Sequence, residues 1–165
     1  MIEILKKVKN INTFVSGIGT GGTLMGVGKR IKEVYKNAKV IALEPAELPI
    51  ITKGITKVSH KIEGIGDDFI PSLVDMNLID KVVTISDKDA INMSRILARK
   101  FGLGVGISSG ANLIASIITA CNNDNVVTIF TDDLKKYLST DLLNDIDNCN
   151  DLISNQIEII SIESM

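Results

Sequence analysis

Continuous apolar runs alternate along the chain with segments in which apolar residues recur every three or four positions. The runs contain no charged residue, which is typical of strands buried on both faces of a parallel sheet. They predict strands at residues 13–16, 40–43, 82–85 and 126–130. The helical spacing predicts helices at residues 1–9, 24–35, 87–101, 110–121 and 135–143.

This alternation of strand and helix indicates an α/β fold, and we expect a three-layer αβα domain with a mostly parallel sheet over residues 1–143. Ser86 is a good N-cap with Asp89 three residues on, and Gly102 follows the last apolar position as a C′ glycine. Residues 45–80 contain several prolines and glycines and predict a long loop with short helical pieces. Such loops in compact domains are usually functional.

Residues 144–165 differ in composition from the rest of the chain. Residues 144–151 contain six Asn or Asp in eight positions, which predicts a polar linker. The apolar stretch at 157–162 is expected to add an edge strand to the sheet. We therefore divide the chain into a domain and a tail.

The composition is that of a globular protein of one domain. The chain has 165 residues, of which 45% are hydrophobic and 23% are charged, and its net charge is −2. This small charge argues against nucleic acid or an anionic membrane as a partner. With two distant cysteines and one histidine, neither a disulfide framework nor a metal site is expected. With no membrane span and no signal-peptide pattern, we expect a cytoplasmic protein.

A glycine-rich loop, residues 17–23, follows the first predicted strand and precedes a predicted helix. Glycines let backbone N–H groups approach an anion, the helix N-terminus adds its positive dipole end, and Thr20 and Thr23 add hydroxyl donors. Spacing alone leaves three interpretations open. The loop could bind a phosphate monoester, it could bind a dinucleotide with Glu44 on the ribose, or it could be a turn that only packs helix on strand.

Further motifs decide between these interpretations. They are FVSGIGTGGTLMGVG at 14–28, LEPAE at 43–47, IEGIG at 62–66 with FIP at 69–71, VGISSGA at 105–111 and YLST at 137–140. In this order they resemble the cysteine synthase (O-acetylserine sulfhydrylase) family of pyridoxal phosphate (PLP) enzymes, which have the tryptophan-synthase-β-like fold, fold type II. The resemblance covers about residues 1–143 and identifies them with the C-terminal large domain, in the C-terminal half of such an enzyme.

The resemblance implies a set of site residues. Those implied to hold the cofactor phosphate are Gly19, Thr20, Gly21, Gly22 and Thr23. Ser108 resembles the serine that hydrogen-bonds the pyridine nitrogen of the cofactor, where a neutral hydroxyl does not hold that nitrogen protonated. The residues Gly64, Ile65 and Gly66 resemble the loop beside the cofactor and substrate.

The resemblance also implies an activity and its partners. The family makes cysteine from O-acetylserine and sulfide by β-replacement, and it forms homodimers, some of which bind serine acetyltransferase. The family's Schiff-base lysine and its Thr-Ser-Gly-Asn substrate loop lie in an N-terminal half that these 165 residues do not match. We therefore expect the chain to need that half as a partner, to contain no catalytic residue itself, and to be inactive alone.

Two segments depart from the family pattern. Residues 131–134, Thr-Asp-Asp-Leu, stand where the family usually has Pro-Asp-Ser-Gly, near the cofactor pocket. Asp67 and Asp68 replace a small-residue pair, so that residues 63–69 are closer to the cystathionine β-synthase branch. A cystathionine β-synthase-type enzyme is therefore one alternative, and a non-catalytic remnant that keeps phosphate or nucleotide binding is another.

Overall fold

The computed structural model of the chain describes residues 2–121, 124–144 and 151–159. Its strands are β1 (Ile11–Gly17), β2 (Lys39–Pro45), β3 (Lys81–Ile85) and β4 (Asn125–Thr128). Its α-helices are α1 (Ile2–Lys7), α2 (Gly22–Val34), α3 (Ile50–Lys53), α4 (Asp87–Phe101), α5 (Ile107–Thr119) and α6 (Ile153–Gln156). Short 3₁₀ turns occupy Met76–Leu78 and Leu134–Tyr137. Each strand that the apolar runs predict is present.

The four strands form one parallel sheet in the order β3-β2-β1-β4. Val15 of β1 lies opposite Ile41 of β2 on one side and opposite Thr128 of β4 on the other. The chain thus adds β2 and β3 on one side of β1 and later returns to place β4 on the other side. At such a change of direction the segments after the two neighbouring strands separate, and a crevice opens at their carboxyl ends.

Helices cover both faces of the sheet, so the expected three-layer αβα architecture is confirmed. Phe14 and Val40 belong to one buried cluster with residues of α1 and α2, whereas their neighbours Val15 and Ile41 belong to another with residues of α4 and α5. The continuous apolar runs arise because each of these strands must be apolar on both faces. Among the helices in the described ranges, none is long and apolar enough to cross a membrane.

Helices α4 and α5 lie close together because glycine removes a side chain where they meet. A Cβ at Gly110 of α5 would lie 2.3 Å from the carbonyl oxygen of Ala90 and 2.4 Å from Oγ of Ser94, both in α4. Helix α4 begins and ends where the sequence predicts. Ser86 is its N-cap, and Gly102, with φ 69°, adopts the left-handed conformation that ends it.

Helix α5 begins earlier than predicted. The sequence pattern predicts a start at Gly110, whereas the helix begins at Ile107 with Gly106 as its N-cap. The N–H of Gly106 donates to the carbonyl oxygen of Asp132 at 2.9 Å, and this contact with a distant segment fixes the chain just before the helix. Ser108 therefore lies in the first turn of the helix rather than in a connection.

The predicted helix at 135–143 is wrong. The structure has a single 3₁₀ turn, Leu134–Tyr137, followed by irregular turns. The guanidinium of Arg95, a buried residue of α4, donates to the backbone carbonyl of Leu142 at 2.7 Å and to that of Asp141. These contacts hold residues 141–142 against α4, and the segment takes an irregular path in this tertiary setting where the local pattern predicts a helix.

The C-terminal part of the described chain packs on α4. Oδ1 of Asp89 accepts from the backbone N–H of Ser154 at 2.9 Å, and Nδ2 of Asn92 donates to Oγ of Ser154 at 3.0 Å. Ser154 is fully buried as a result. Residues 157–159 are not in a strand. Most of the predicted linker (145–150) and the end of the predicted edge strand (160–162) lie outside the described residues, so both stay predictions.

We expect Gly110→Ala to lower the free energy of unfolding by about 2–3 kcal/mol, because the added methyl group overlaps atoms of α4. The matched control is Gly26→Ala in α2, where a Cβ would meet nothing within 4 Å. This control should raise stability by about 0.5–1 kcal/mol, since alanine is the better helix former. Urea denaturation measures both changes, and equal midpoints for the two variants would contradict the close packing of α4 and α5.

Candidate functional site

A cleft opens at the carboxyl ends of β1 and β4, where the two strands separate. It holds about 170 Å³ of space. The residues that line it are Ser16, Gly17, Gly19, Thr20, Gly21, Gly22, Thr23, Gly64, Ile65, Ser108, Asn112, Thr131 and Asp132. The structure thus brings together in one cleft the site residues suggested by the sequence, apart from Gly66, which is adjacent to Ile65 in the chain.

The glycine-rich loop turns sharply into α2. Gly21 is the N-cap of the helix and has φ 85°, a left-handed conformation that glycine adopts without strain. Among the described residues no side chain caps this helix, so the N–H groups of its first turn are left to a ligand. Thr20 and Thr23 are exposed in the cleft. Backbone amides, two hydroxyls and the positive end of a 13-residue helix therefore lie together, which suits an anion.

A second loop, residues 62–66, lies against the glycine-rich loop. A Cβ at Gly19 would come within 2.5 Å of the carbonyl oxygen of Gly64. The N–H of Gly66 donates to the carbonyl oxygen of Ile18 at 2.8 Å and joins the two loops. A side chain at Gly19 would push the loops apart, so their distance depends on glycine at this position.

His60 holds the second loop in shape. Its Nδ1 accepts from the N–H of Ile62 at 3.2 Å, which places the proton on Nε2, and Nε2 donates to the carbonyl oxygen of Gly66 at 2.8 Å. Gly66 itself has φ 77°, so glycine is favoured there as well. Within the described ranges, no group of three His, Cys, Asp or Glu residues could hold a metal ion.

Ser108 lies in the first turn of α5 and lines the cleft. It is 3% exposed, and its Oγ lies 3.1 Å from Oγ1 of Thr131, in a hydrogen bond that either hydroxyl can donate. Oγ of the next residue, Ser109, accepts from the N–H of Thr131 at 3.2 Å. Thr131 begins the segment that departs from the family pattern, so this departure places a hydroxyl group beside Ser108.

Asn112 joins the two strands that border the cleft. Its Oδ1 accepts from the N–H of Gly17 at the end of β1, and its Nδ2 donates to the carbonyl oxygen of Ile129 just after β4, each at 2.9 Å. The residue is only 2% exposed. Sequence reasoning missed it, although its spacing of four from Ser108 places both residues on one face of α5.

Asp132 contributes the negative charge in the cleft lining. Its Oδ2 accepts from the hydroxyl of Tyr137 at 2.5 Å and from Nζ of Lys136 at 3.1 Å. The hydrogen bond from Tyr137, reinforced by Lys136, holds the pKa of Asp132 below its ordinary value. Burial, together with the hydrogen bond to the Asp132 carboxylate, raises the pKa of Tyr137. Asp132 therefore stays ionised and Tyr137 stays neutral around pH 7.

Glu44, the candidate ribose ligand of the dinucleotide interpretation, is occupied elsewhere. It is 2% exposed, and its carboxylate accepts from the N–H groups of Ile51 at 2.7 Å and Thr52 at 3.1 Å and from the Thr52 hydroxyl at 2.5 Å. Glu44 thus caps α3 and is not part of the cleft lining. The structure gives the dinucleotide interpretation no support.

Residues 1–132 match the family described as pyridoxal-phosphate dependent enzymes. The chain is 44% identical over 144 residues to cysteine synthase B of Campylobacter jejuni, and the match covers 86% of this chain and 48% of that protein. The chain therefore spans about half the length of the curated relatives it matches.

Solved structures are also similar to this chain. A hydrogen sulfide-producing enzyme from Fusobacterium nucleatum has a TM-score of 0.88 at 48% identity, covering 97% of this chain and 51% of that one. An O-acetylserine-dependent cystathionine β-synthase from Helicobacter pylori has a TM-score of 0.78 at 38% identity, covering 86% of this chain and 47% of that one. The likeness to the Fusobacterium enzyme extends over nearly the whole chain.

Replacing Asn112 by leucine should lower the free energy of unfolding by about 1–3 kcal/mol, because the half-buried N–H of Gly17 and carbonyl of Ile129 both lose their partner. The matched control is Asn77→Leu, whose side-chain hydrogen bond to Asp75 is exposed. We expect that control to change stability by less than about 0.5 kcal/mol. Similar thermal midpoints for the two variants would show that Asn112 does not join the strands.

Tyr137→Phe should lower stability by about 1.5–3 kcal/mol between roughly pH 5 and 9, because a hydrogen bond to a charged group is lost. The raised pKa of Tyr137 means that its contribution is complete below the unfolded value of about 10 and is lost as pH rises above it. The lowered pKa of Asp132 means that its contribution is lost as pH falls below about 4. Urea denaturation across pH should show the gap between the two proteins shrinking at both ends, and a constant gap would refute this coupling.

Proposed function

The chain belongs to the family of pyridoxal-phosphate dependent enzymes, and we propose that it is the cofactor-binding half of a cysteine synthase. In this proposal the complete enzyme replaces the acetate of O-acetylserine with sulfide, which releases acetate and yields cysteine. The observation that carries the proposal is that the glycine-rich loop at the start of α2 and Ser108 share one cleft, in a chain 44% identical to a cysteine synthase.

The residues of this cleft fit pyridoxal phosphate. Residues 19–23 would hold its phosphate through first-turn N–H groups of α2 and through two threonine hydroxyls. Because Gly19 has no Cβ, the second loop can lie against the glycine-rich loop at one side of the cleft. Ser108 would meet the pyridine nitrogen, and residues 64–66 would lie beside the substrate.

When bound, the cofactor supplies an electron-accepting ring that makes the acetate group of the amino-acid substrate easier to expel. The residues of the chain orient that ring. Residues 19–23 would anchor its phosphate, and the close approach of Gly19 to Gly64 would keep the proposed substrate loop beside it. The Ser108 hydroxyl is neutral and would not hold the ring nitrogen protonated, so it would leave the ring a weaker electron acceptor. This suits loss of a β-substituent better than prolonged stabilisation of a carbanion.

The complete enzyme would need residues that this chain does not match. Among the described residues that line the cleft there is no lysine. We therefore propose that an N-terminal half with the Schiff-base lysine completes the site and that the assembled enzyme is a cytoplasmic homodimer. Serine acetyltransferase is a further proposed partner, which rests on the family resemblance alone. Residues 1–143 would form the cofactor domain and residues 144–165 its tail.

A second candidate reaction runs from cysteine to hydrogen sulfide. The observation that favours it is the Fusobacterium nucleatum enzyme, named as hydrogen sulfide-producing, which is 48% identical and covers 97% of this chain. Both reactions concern one carbon–sulfur bond, which a cysteine synthase forms and a sulfide-producing enzyme breaks. In a cystathionine β-synthase-type reaction, a larger thiol would take the place of sulfide.

Reconstitution tests the proposal. We expect the chain alone to form no cysteine from O-acetylserine and sulfide, and the chain co-expressed with the N-terminal half of the Campylobacter cysteine synthase B to form it. Gly19→Ala should weaken PLP binding at least about tenfold, because its Cβ would lie 2.5 Å from the Gly64 carbonyl oxygen. The Gly26→Ala control, whose Cβ would meet no neighbour within 4 Å, should bind PLP like the unchanged chain and should be equally active once co-expressed with the N-terminal half.

The outcomes separate the candidate functions. Cysteine formed by the chain alone would refute the need for a second half. Sulfide released from cysteine, without cysteine formed from O-acetylserine, would favour the second candidate. Saturable PLP binding that Gly19→Ala leaves unchanged would place the cofactor outside this cleft.

A further inference from the structure

The segment after β4 places a second hydroxyl group against Ser108, and we propose that Thr131 is a positioning residue that directs the proton of the Ser108 hydroxyl into the cleft. This inference rests on the proposed function, in which Ser108 meets the pyridine nitrogen of PLP. Thr131 would act on that nitrogen only through Ser108.

The direction of one hydrogen bond decides what Ser108 offers to a ligand. A serine hydroxyl has one proton and two lone pairs. Oγ of Ser108 lies 3.1 Å from Oγ1 of Thr131, in a residue that is only 3% exposed. If Ser108 donated to Thr131, it would present only lone pairs to the lone pair of an uncharged aromatic nitrogen. If Thr131 donates to Ser108, the Ser108 proton is free for that nitrogen, and both hydroxyls and the ligand are satisfied.

Backbone contacts fix Thr131 relative to Ser108. The N–H of Thr131 donates to Oγ of Ser109 at 3.2 Å, and the carbonyl oxygen of Asp132 accepts from the N–H of Gly106 at 2.9 Å. Val105 and Asp133 form an isolated antiparallel bridge beside these contacts. The segment is therefore tied to the N-terminal end of α5, the helix that carries Ser108. These contacts hold the backbone of Thr131 at a fixed distance from that of Ser108.

Asp132 does not offer this proton, although it lines the same cleft. Its Oδ2 already accepts from the Tyr137 hydroxyl and from Nζ of Lys136, and these donors keep the pKa of the carboxyl low. A carboxylate is an acceptor only, and at a ring nitrogen it would favour the protonated ring. The pair of neutral hydroxyls can therefore donate to an uncharged nitrogen, whereas the neighbouring Asp132 cannot.

The hydroxyl pair depends on a residue that departs from the family pattern. Thr131 stands where the family pattern usually has proline. Proline has neither a hydroxyl nor an N–H, so it could make neither the contact with Ser108 nor the contact with Ser109. The departure from the family pattern thus supplies both of the contacts on which the inference depends.

NMR of the pyridine nitrogen in ¹⁵N-labelled PLP, titrated with the full chain, tests this inference. The limiting shift of the titration is that of bound PLP, and the concentration dependence gives the Kd even when binding is weak. We expect Thr131→Val to move the bound shift towards that of free PLP and to raise the Kd about threefold to tenfold. Thr131→Ser keeps the hydroxyl and should match the unchanged chain. The control is Thr128→Val in β4, which removes a hydroxyl that donates to the carbonyl oxygen of Val15 at 2.8 Å.

A double variant separates positioning from direct contact. If Thr131 acts through Ser108, adding Thr131→Val to Ser108→Ala should change neither the bound shift nor the Kd any further. Additive effects, or an unaltered bound shift in Thr131→Val alone, would overturn the positioning role and leave the proposed function intact. If neither the unchanged chain nor the chain co-expressed with the N-terminal half gives a saturable shift, this inference fails, whereas the proposed function is decided separately by cysteine formation in the reconstituted enzyme.

Discussion

The separation of β1 from β4 beyond the Val15–Thr128 pair makes the site, and the amide of Asn112 makes that separation stable. Past this pair, the N–H of Gly17 and the carbonyl of Ile129 are joined by the side chain instead of by each other. Both groups are half-buried, and a backbone group left without a partner costs up to about 1–3 kcal/mol when water cannot reach it. Helix α5 therefore supplies both the amide that bridges the two separated strands and the hydroxyl of Ser108 in the cleft.

Two further constraints act through the absence of a Cβ. At Gly110 it lets α5 approach α4 to a distance that a methyl group would prevent, which sets the position of the helix that carries Ser108. At Gly19 it lets the glycine-rich loop touch the carbonyl oxygen of Gly64. The shape of the cleft therefore depends on Gly110 in α5 and Gly19 in the loop, because a side chain at either position would overlap atoms of the neighbouring segment.

The charges in the cleft follow from the same geometry. The described lining contains one acidic residue, Asp132, whose carboxylate is held by Tyr137 and Lys136. An anion at the start of α2 would be bound by backbone amides and threonine hydroxyls, and a ring nitrogen would meet the hydroxyls of Ser108 and Thr131. Neutral donors at both ends suit a cofactor whose phosphate is already charged and whose ring is to stay uncharged.

The order of strands and helices, the αβα layers and the glycine-rich loop were predictable from the sequence, because apolar periodicity and the left-handed preference of glycine are local properties. The motifs around Ser108 also indicated the family. The tertiary structure alone decided that Arg95 binds the backbone where the helix 135–143 was expected to end, that Asn112 joins two strands and that Thr131 contacts Ser108. Each of these rests on a contact between residues far apart in the chain. Such a contact stabilises the protein only once the fold has brought both partners together, so no local sequence pattern predicts it.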